Sequence, residues 1–187
     1  MKIVGEPLVG VKVIAPLCSA DKRGRFVKTY HRAIFAELGI KFDFAEEFYS
    51  VSRAGVIRGM HFQLPPHAHD KVIYCVKGGV LDVLLDLRTD SPTYGQSVAV
   101  DLSGENCSIV FIPIGIAHGF LCKSDEAILV YKTSAVYVPS HDTGIRWDSF
   151  GFNWAVEAPV ISERDAKLST LASFSSPFKF MPTVYSK

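Results

Sequence analysis

The chain has 187 residues, of which 48% are hydrophobic, 12% aromatic and 21% charged. That length suits one globular domain, and the apolar share is enough for a core, which excludes wholesale disorder. The 20 Lys plus Arg oppose 19 Asp plus Glu, a net charge of +1, which excludes the broad basic field of a nucleic-acid binder but not local basic residues that grip a phosphate.

The opening stretch, Met1 to Leu17, is broken by Gly and Pro and carries Glu6, so it reads poorly as a signal peptide. No apolar run approaches the ~20 residues of a membrane span. Thr29 is a candidate cap for a helix from His31 to Leu38, with Gly39 ending it. Closely spaced strands then fill the middle of the chain: Val72–Val76, Val80–Leu87, Ser97–Leu102, Ser108–Ile112, Phe120–Cys122 and Ala127–Thr133. Turn signals separate them, at Gly78-Gly79, at Ser103 to Asn106 and at Lys123 to Glu126. Ser162-Glu163-Arg164-Asp165 has the form of a capping box opening a C-terminal helix. Beyond Ala172 the tail holds Phe174, Pro177, Phe178, Phe180 and Pro182, and is expected to pack as an irregular strap or at a subunit contact. No repeat, low-complexity tract or linker divides the chain, so residues 1–187 are read as one domain. Short strands without alternating long helices predict an antiparallel sandwich or barrel, not a doubly wound sheet. Cys18, Cys75, Cys107 and Cys122 are widely spaced and form no CxxC, which suggests neither a zinc site nor a disulfide framework. A cytoplasmic protein with reduced thiols is expected.

Several segments carry residues suited to chemistry. Arg58-Gly59-Met60-His61-Phe62-Gln63 sets an arginine and a histidine three positions apart. On a strand these converge only through a bend or bulge, which Gly59 permits. Alone, this reads as a half-buried histidine beside a surface arginine. His67-x-His69 could offer two metal ligands on one strand face, and His118 a third. That outline is similar to the paired motifs of metal-binding cupins. The carboxylate expected after the pair is missing, however, and Lys71 places a cation where a divalent metal would sit. The Pro65-Pro66 context makes a solvent-exposed loop the preferred reading of His67 and His69. His118, between a turn and an apolar strand, could equally be a hydrogen-bonded core residue. Tyr131 and Tyr137, six apart, would share one face of an unbroken strand. Asp165 closes the capping box, and a carboxylate can also orient a histidine and stabilise its imidazolium.

Taken together and in order, these pieces resemble the dTDP-4-dehydrorhamnose 3,5-epimerase family of deoxysugar and O-antigen biosynthesis. The resemblance runs from about Asp21 to about Leu171. It rests on Asp21-Lys22-Arg23-Gly24-Arg25-Phe26, on Ser50 to Gln63, on Lys71, on Asp82-Val83 with Asp86-Leu87-Arg88, and on Ser91 to Gly95. Pro113 to Phe120, Tyr131-Lys132-Thr133, Tyr137-x-Pro139, Ile145-x-Trp147 and Ser162 to Asp165 complete it. The resemblance implies an all-β cupin or jelly-roll β-barrel with short helices, including the C-terminal one. It implies a homodimer in which N-terminal residues of one subunit help the other's site, with no metal and no other cofactor. The implied substrate is a nucleoside-diphospho-4-keto-6-deoxyhexose, and neither nucleic acid nor membrane is an implied partner.

The implied roles suit the chemistry. The protons on C3 and C5 both neighbour the C4 ketone, so removing either gives an enolate, and returning it on the other face inverts the carbon. Such a reaction needs a base, an acid opposite it, and positive charge at the C4 oxygen. By resemblance His61 is the base, Asp165 its partner, Tyr131 the acid and Lys71 the enolate cation. Arg23, Arg58, His118 and Arg164 match substrate-contacting positions, and Tyr137 the aromatic that stacks on the base. Four positions depart from the family pattern: Lys28, Glu46, Phe48 and Asp142 stand where it commonly has glutamate, glutamine, asparagine and glutamate. With the catalytic set intact, these departures raise alternatives: a CDP- or GDP-linked 4-keto sugar, or inversion at C3 or C5 alone. A metal-dependent cupin using His67, His69 and His118 is the competing class.

Overall fold

The structure, a computed structural model, describes residues 1–181. Thirteen strands and two short helices follow in order: β1 (Lys2–Gly5), β2 (Lys12–Ala15), β3 (Leu17–Asp21), β4 (Gly24–Lys28), α1 (Arg32–Glu37), β5 (Glu46–Arg53), β6 (Ile57–Gln63), β7 (Lys71–Lys77), β8 (Gly79–Asp86), β9 (Ser97–Ser103), β10 (Ile109–Ile112), β11 (Ile116–Cys122), β12 (Glu126–Thr133), β13 (Asp142–Gly144) and α2 (Glu163–Ala166). A 3₁₀ turn, Leu171–Ser173, follows α2. All six strands expected in the middle of the chain are present, most of them a residue or more longer at an end.

Two antiparallel sheets face each other as a jelly roll. One has the order β1-β2-β10-β7-β12-β5 and the other β13-β6-β11-β8-β9, while β3 and β4 form a separate hairpin. Period-two alternation sorts each strand's side chains between the inside of the sandwich and its outer faces. On β8, Val80 and Leu84 join the central core, whereas Val83 and Leu85 pack on the other side of the sheet. Ile73 and Cys75 of β7, Leu129 and Tyr131 of β12, and Ile116 and Phe120 of β11 fill the same interior.

Both outer faces are covered, which lets the strands be apolar on both sides. Phe35 of α1, with Ile40 and Phe42, covers the six-stranded sheet. Trp154 covers the five-stranded sheet together with Phe174 and Phe178 of the expected C-terminal strap, and Phe180 lies under the Arg88 guanidinium. Pro182 falls outside the described residues. The Asp86-Leu87-Arg88 and Ser91 to Gly95 motifs have a structural use. The Asp86 carboxylate accepts from Arg88, Ser91 and Thr93 and fixes the connection from β8 to β9.

Three local expectations change. Helix α1 is capped by His31, whose Nδ1 accepts from Ile34 N–H, and not by Thr29. Tyr30 is held outside the helix by its hydroxyl bond to the Phe42 carbonyl and by edge-on packing against Phe35. The box at Ser162 is only half formed. Ser162 Oγ accepts from Asp165 N–H, but the Asp165 carboxylate turns toward β6. Strand β12 stops at Thr133, whose hydroxyl bonds to the Ala135 carbonyl in a bend. Tyr137 therefore does not share a strand with Tyr131.

Candidate active site

A cavity of about 400 Å³ opens at one end of the sandwich, between the two sheets. Its floor and walls are the inward-facing positions of six strands. Glu46, Phe48 and Ser50 come from β5, Arg58, His61 and Gln63 from β6, and Lys71 from β7. His118 comes from β11, Tyr131 and Thr133 from β12, and Asp142 from β13; His69, Tyr137 and Arg164 complete the rim.

Arg58 and His61 converge through the bulge that their spacing requires. Three steps on β6, from Arg58 to His61, oppose two on β11, from Phe120 to His118. Gly59 sits there at φ +140°, and a Cβ on it would collide with the backbone of Gly119. A side chain is excluded both by that contact and by the backbone angle. The bulge also sets His61 directly opposite His118.

His61 Nε2 lies 2.8 Å from Asp165 Oδ1, and Asp165 Oδ2 accepts from Gly59 N–H at 3.3 Å. Burial works to raise the Asp165 carboxyl, but the hydrogen bond and charge of His61, the Gly59 N–H and the Arg164 charge outweigh it and hold its pKa low. Asp165 is thus an ionised partner that fixes the orientation of the imidazole. From the facing sheet, Tyr131 presents its hydroxyl 3.1 Å from Ser50 Oγ. Burial pushes its pKa up, more than the Ser50 hydrogen bond lowers it, so it remains a neutral phenol with a proton to give. Phe48 stacks on the Tyr131 ring, with centroids 4.8 Å apart and planes 12° from parallel. Lys71 Nζ reaches across to donate to the His61 carbonyl at 3.0 Å. Burial lowers its pKa to about 8, against the attraction of Asp142 and Asp82.

The rim is tied by short polar contacts. Glu46 Oε2 accepts from Tyr137 N–H at 2.6 Å, and Arg164 pairs with Asp142 at 2.5 Å. Arg58 is held by Ser52 Oγ and the Val51 carbonyl. Arg23 and Lys28 do not line this cavity. Both belong to the hairpin of β3 and β4, which pairs only with itself, and Arg23 is exposed and paired with Asp21.

The solvent-loop reading of His69 is corrected: it lines the cavity, half-buried, with Nδ1 3.0 Å from Gln63 Nε2. Burial, followed by the Lys71 charge, depresses its pKa to about 3, which leaves it neutral. His67 lies outside the lining and packs edge-on against His141, while His118 bonds to Asp82 at 2.6 Å. Among the described residues no three His, Cys, Asp or Glu side chains are grouped to hold a metal ion. The three histidines of the metal-cupin alternative therefore do not form a ligand set. Ser50 and Gln63 line the cavity and Asp82 stands behind it on His118, although none of the three was given a site role from sequence. Their sequence signal was a polar residue at an inward position of an otherwise apolar or β-rich strand.

An imidazole held by a carboxylate on one side of the cavity, a phenol on the facing sheet and a buried ammonium beside them are groups of the kind that acid–base isomerisation in a jelly roll would need. The family model for dTDP-4-dehydrorhamnose 3,5-epimerase matches residues 6–173. The chain is 40% identical over 168 residues to the dTDP-4-dehydrorhamnose 3,5-epimerase of Shigella flexneri, covering 88% of this chain and 93% of that one. It is 39% identical over 166 residues to a dTDP-4-dehydrorhamnose 3-epimerase of Streptomyces niveus, covering 87% and 80%. Among solved structures, an epimerase of Legionella pneumophila in complex with dTDP-4-keto-L-rhamnose superposes with a TM-score of 0.91 at 32% identity. That match covers 96% of this chain and 98% of the other. The chain belongs to the dTDP-4-dehydrorhamnose 3,5-epimerase family, and it is an epimerase, a kind of isomerase. Among the described residues no helix is long and apolar enough to cross a membrane.

Proposed function

We propose that this enzyme inverts C3 and C5 of dTDP-4-dehydro-6-deoxyglucose to give dTDP-4-dehydrorhamnose. The observation that carries the reading is the placement of the His61–Asp165 pair and the Tyr131 hydroxyl on facing sheets of one cavity. The C4 ketone is the electron sink. His61 takes the proton from the carbon next to it, the bonding pair moves onto the C4 oxygen, and the Lys71 ammonium neutralises the oxyanion. Tyr131 then gives its proton to the opposite face of the same carbon, and the ketone re-forms. Nothing is oxidised or reduced, so these groups suffice without a redox or metal partner.

In this reading Arg58, His118 and Arg164 hold the diphospho-sugar, and Tyr137 offers a ring for the nucleotide base; their support is that all four line the cavity. We assign Arg23 and Lys28 to the neighbouring site of a homodimer, since the hairpin that bears them stands apart from its own cavity. The chain works as one epimerase domain over residues 1–187, in the cytoplasm, where nucleotide sugars are made.

Incubation in deuterated water with dTDP-, CDP- and GDP-linked 4-keto-6-deoxyhexoses tests the substrate. Deuterium is expected at both C3 and C5 of the dTDP sugar, with inversion at both. The likeness to a 3-epimerase keeps a second reading open, and label confined to C3 would establish it. Faster turnover of the CDP or GDP sugar would overturn the nucleotide assignment.

Asp165→Asn separates catalysis from capping. The structure gives the cap to Ser162 and the Asp165 carboxylate to His61. Turnover is therefore expected to fall by about 10²-fold or more, because the ionised partner of the base is lost. The melting temperature and α2 should survive. Near-normal turnover in a folded Asp165→Asn enzyme would remove Asp165 from the mechanism.

A further inference from the structure

Asp82 is a buried charge to which the chemistry above gives no role. It sits on β8 between Val80 and Leu84 and is fully buried in the sandwich interior. An ionised carboxylate in such surroundings is costly unless it serves an interaction. Its Oδ1 meets His118 Nε2 at 2.6 Å, but its Oδ2 has no hydrogen-bond partner among the described residues. Lys71 faces the same interior from β7. Its ammonium donates to a carbonyl, that of His61, and has no carboxylate at ion-pair distance among the described residues.

The charges around Lys71 sort by the element that brings them. From β13 comes Asp142, already matched by Arg164 at 2.5 Å. From β12 comes Tyr131, a neutral phenol, and from the segment before β7 comes His69, neutral as well. The His61 and His118 imidazoles, from β6 and β11, can only add positive charge. Arg58 also lines the cavity and repels, while Glu46 is engaged at the rim by Tyr137 N–H. Asp82 is the remaining carboxylate without a cation of its own at ion-pair distance other than the His118 imidazole. Burial raises its pKa against the pull of His118 and Lys71, and after Asp142 it is the second charge that supports Lys71, through a dry interior where attraction is screened little.

We propose that Asp82 is a positioning residue for the enolate cation: its buried carboxylate keeps Lys71 an ammonium and thereby sets the upper pH limit of epimerisation. This rests on the reading of Lys71 as the cation at the C4 oxygen. The Lys71 pKa of about 8 is already depressed by burial, and Asp82 is one of the two charges that support it. Without that charge the ammonium would lose its proton at still lower pH.

The experiment compares wild type with Asp82→Asn, which keeps an oxygen for His118 while deleting the charge. Two quantities are followed against pH: the rate of deuterium exchange into substrate, and the ¹³Cε resonance of labelled Lys71, assigned by its absence from Lys71→Arg. Asp82→Asn should move the Lys71 titration and the alkaline limb of exchange together to lower pH, by about one unit or more. A merely structural role would lower the rate and leave both midpoints in place, and that result would overturn the proposal. Lys71→Arg keeps a charge that does not titrate in this range, so its alkaline limb should vanish. If that limb persists, the reading of Lys71 as enolate cation fails. If it vanishes while Asp82→Asn leaves the Lys71 resonance unmoved, only the role of Asp82 fails. Should Asp82→Asn not fold, Asp82→Ser, smaller and still polar, is measured in its place under the same criteria.

Discussion

A His61→Asn enzyme should lose deuterium exchange at every reacting carbon while still binding dTDP. One imidazole serves each enolisation, so both positions fall together, by at least the 10²–10⁴-fold that a general base typically contributes. The fold has reason to tolerate the change. His61 is partly exposed at the cavity, and Asp165 keeps its bond from Gly59 N–H. Nucleotide affinity, measured by calorimetry, should stay within a few-fold of wild type, because the groups assigned to the diphosphate and base are other side chains, left in place by the substitution. Near-normal exchange in a folded His61→Asn protein would remove His61 from the mechanism. Loss at C5 with retention at C3 would require a second base.

Tyr131→Phe should uncouple exchange from inversion. The ring remains, with Phe48 stacked on it, and only the hydroxyl and its contact with Ser50 are lost. Deprotonation by His61 should continue, so deuterium still enters the unreacted configuration. Inversion should fall by about 10²–10⁴-fold, because no group delivers a proton to the opposite face. If Tyr131 were only a core aromatic, deleting its hydroxyl would cost on the order of 1 kcal/mol of stability and leave the ratio of inversion to exchange alone. That ratio, taken at a temperature where both proteins are folded, decides between the two.

Much of this was legible in the residues. Alternation and turn signals placed the six strands from Lys71 to Thr133 because each is seven or eight residues long, apart from β10, and bounded by Gly, Asn or Ser. Before Lys71 only the Arg58 to Gln63 stretch was considered as a strand; β1 to β5 were not legible as strands. β3 and β4 are exposed and pair only with each other, and β5 carries Glu46, Glu47 and Arg53 in a pattern that reads as surface. The bulge at Gly59 was readable from spacing, since two functional side chains three apart on a strand need one. His69 was misjudged because Pro65-Pro66 signals a turn, while its burial depends on Gln63 reaching back to it. Asp82 was noted in the sequence only as part of the Asp82-Val83 motif of the resemblance, with no role of its own. Its partner is His118, on the neighbouring strand and 36 residues away.

The sequence by itself determined the class of fold, the order of the strands it could show, and, through the ordered resemblance of its motifs, the family and the residue types for base, acid and cation. Those depend on local periodicity and on which side chains the reaction needs, and both are written along the chain. Only the tertiary structure decided which of these residues meet. His61 and Asp165 are 104 positions apart and Ser50 and Tyr131 are 81 apart, and each pair is joined by a single hydrogen bond. It also decided which are left out: Arg23, which matches a substrate-contacting position of the family, and Lys28, which departs from one, stand on a separate hairpin. The physical reason is that strand pairing in a jelly roll brings together distant segments, whereas a linear pattern fixes only which face of its own strand each side chain takes.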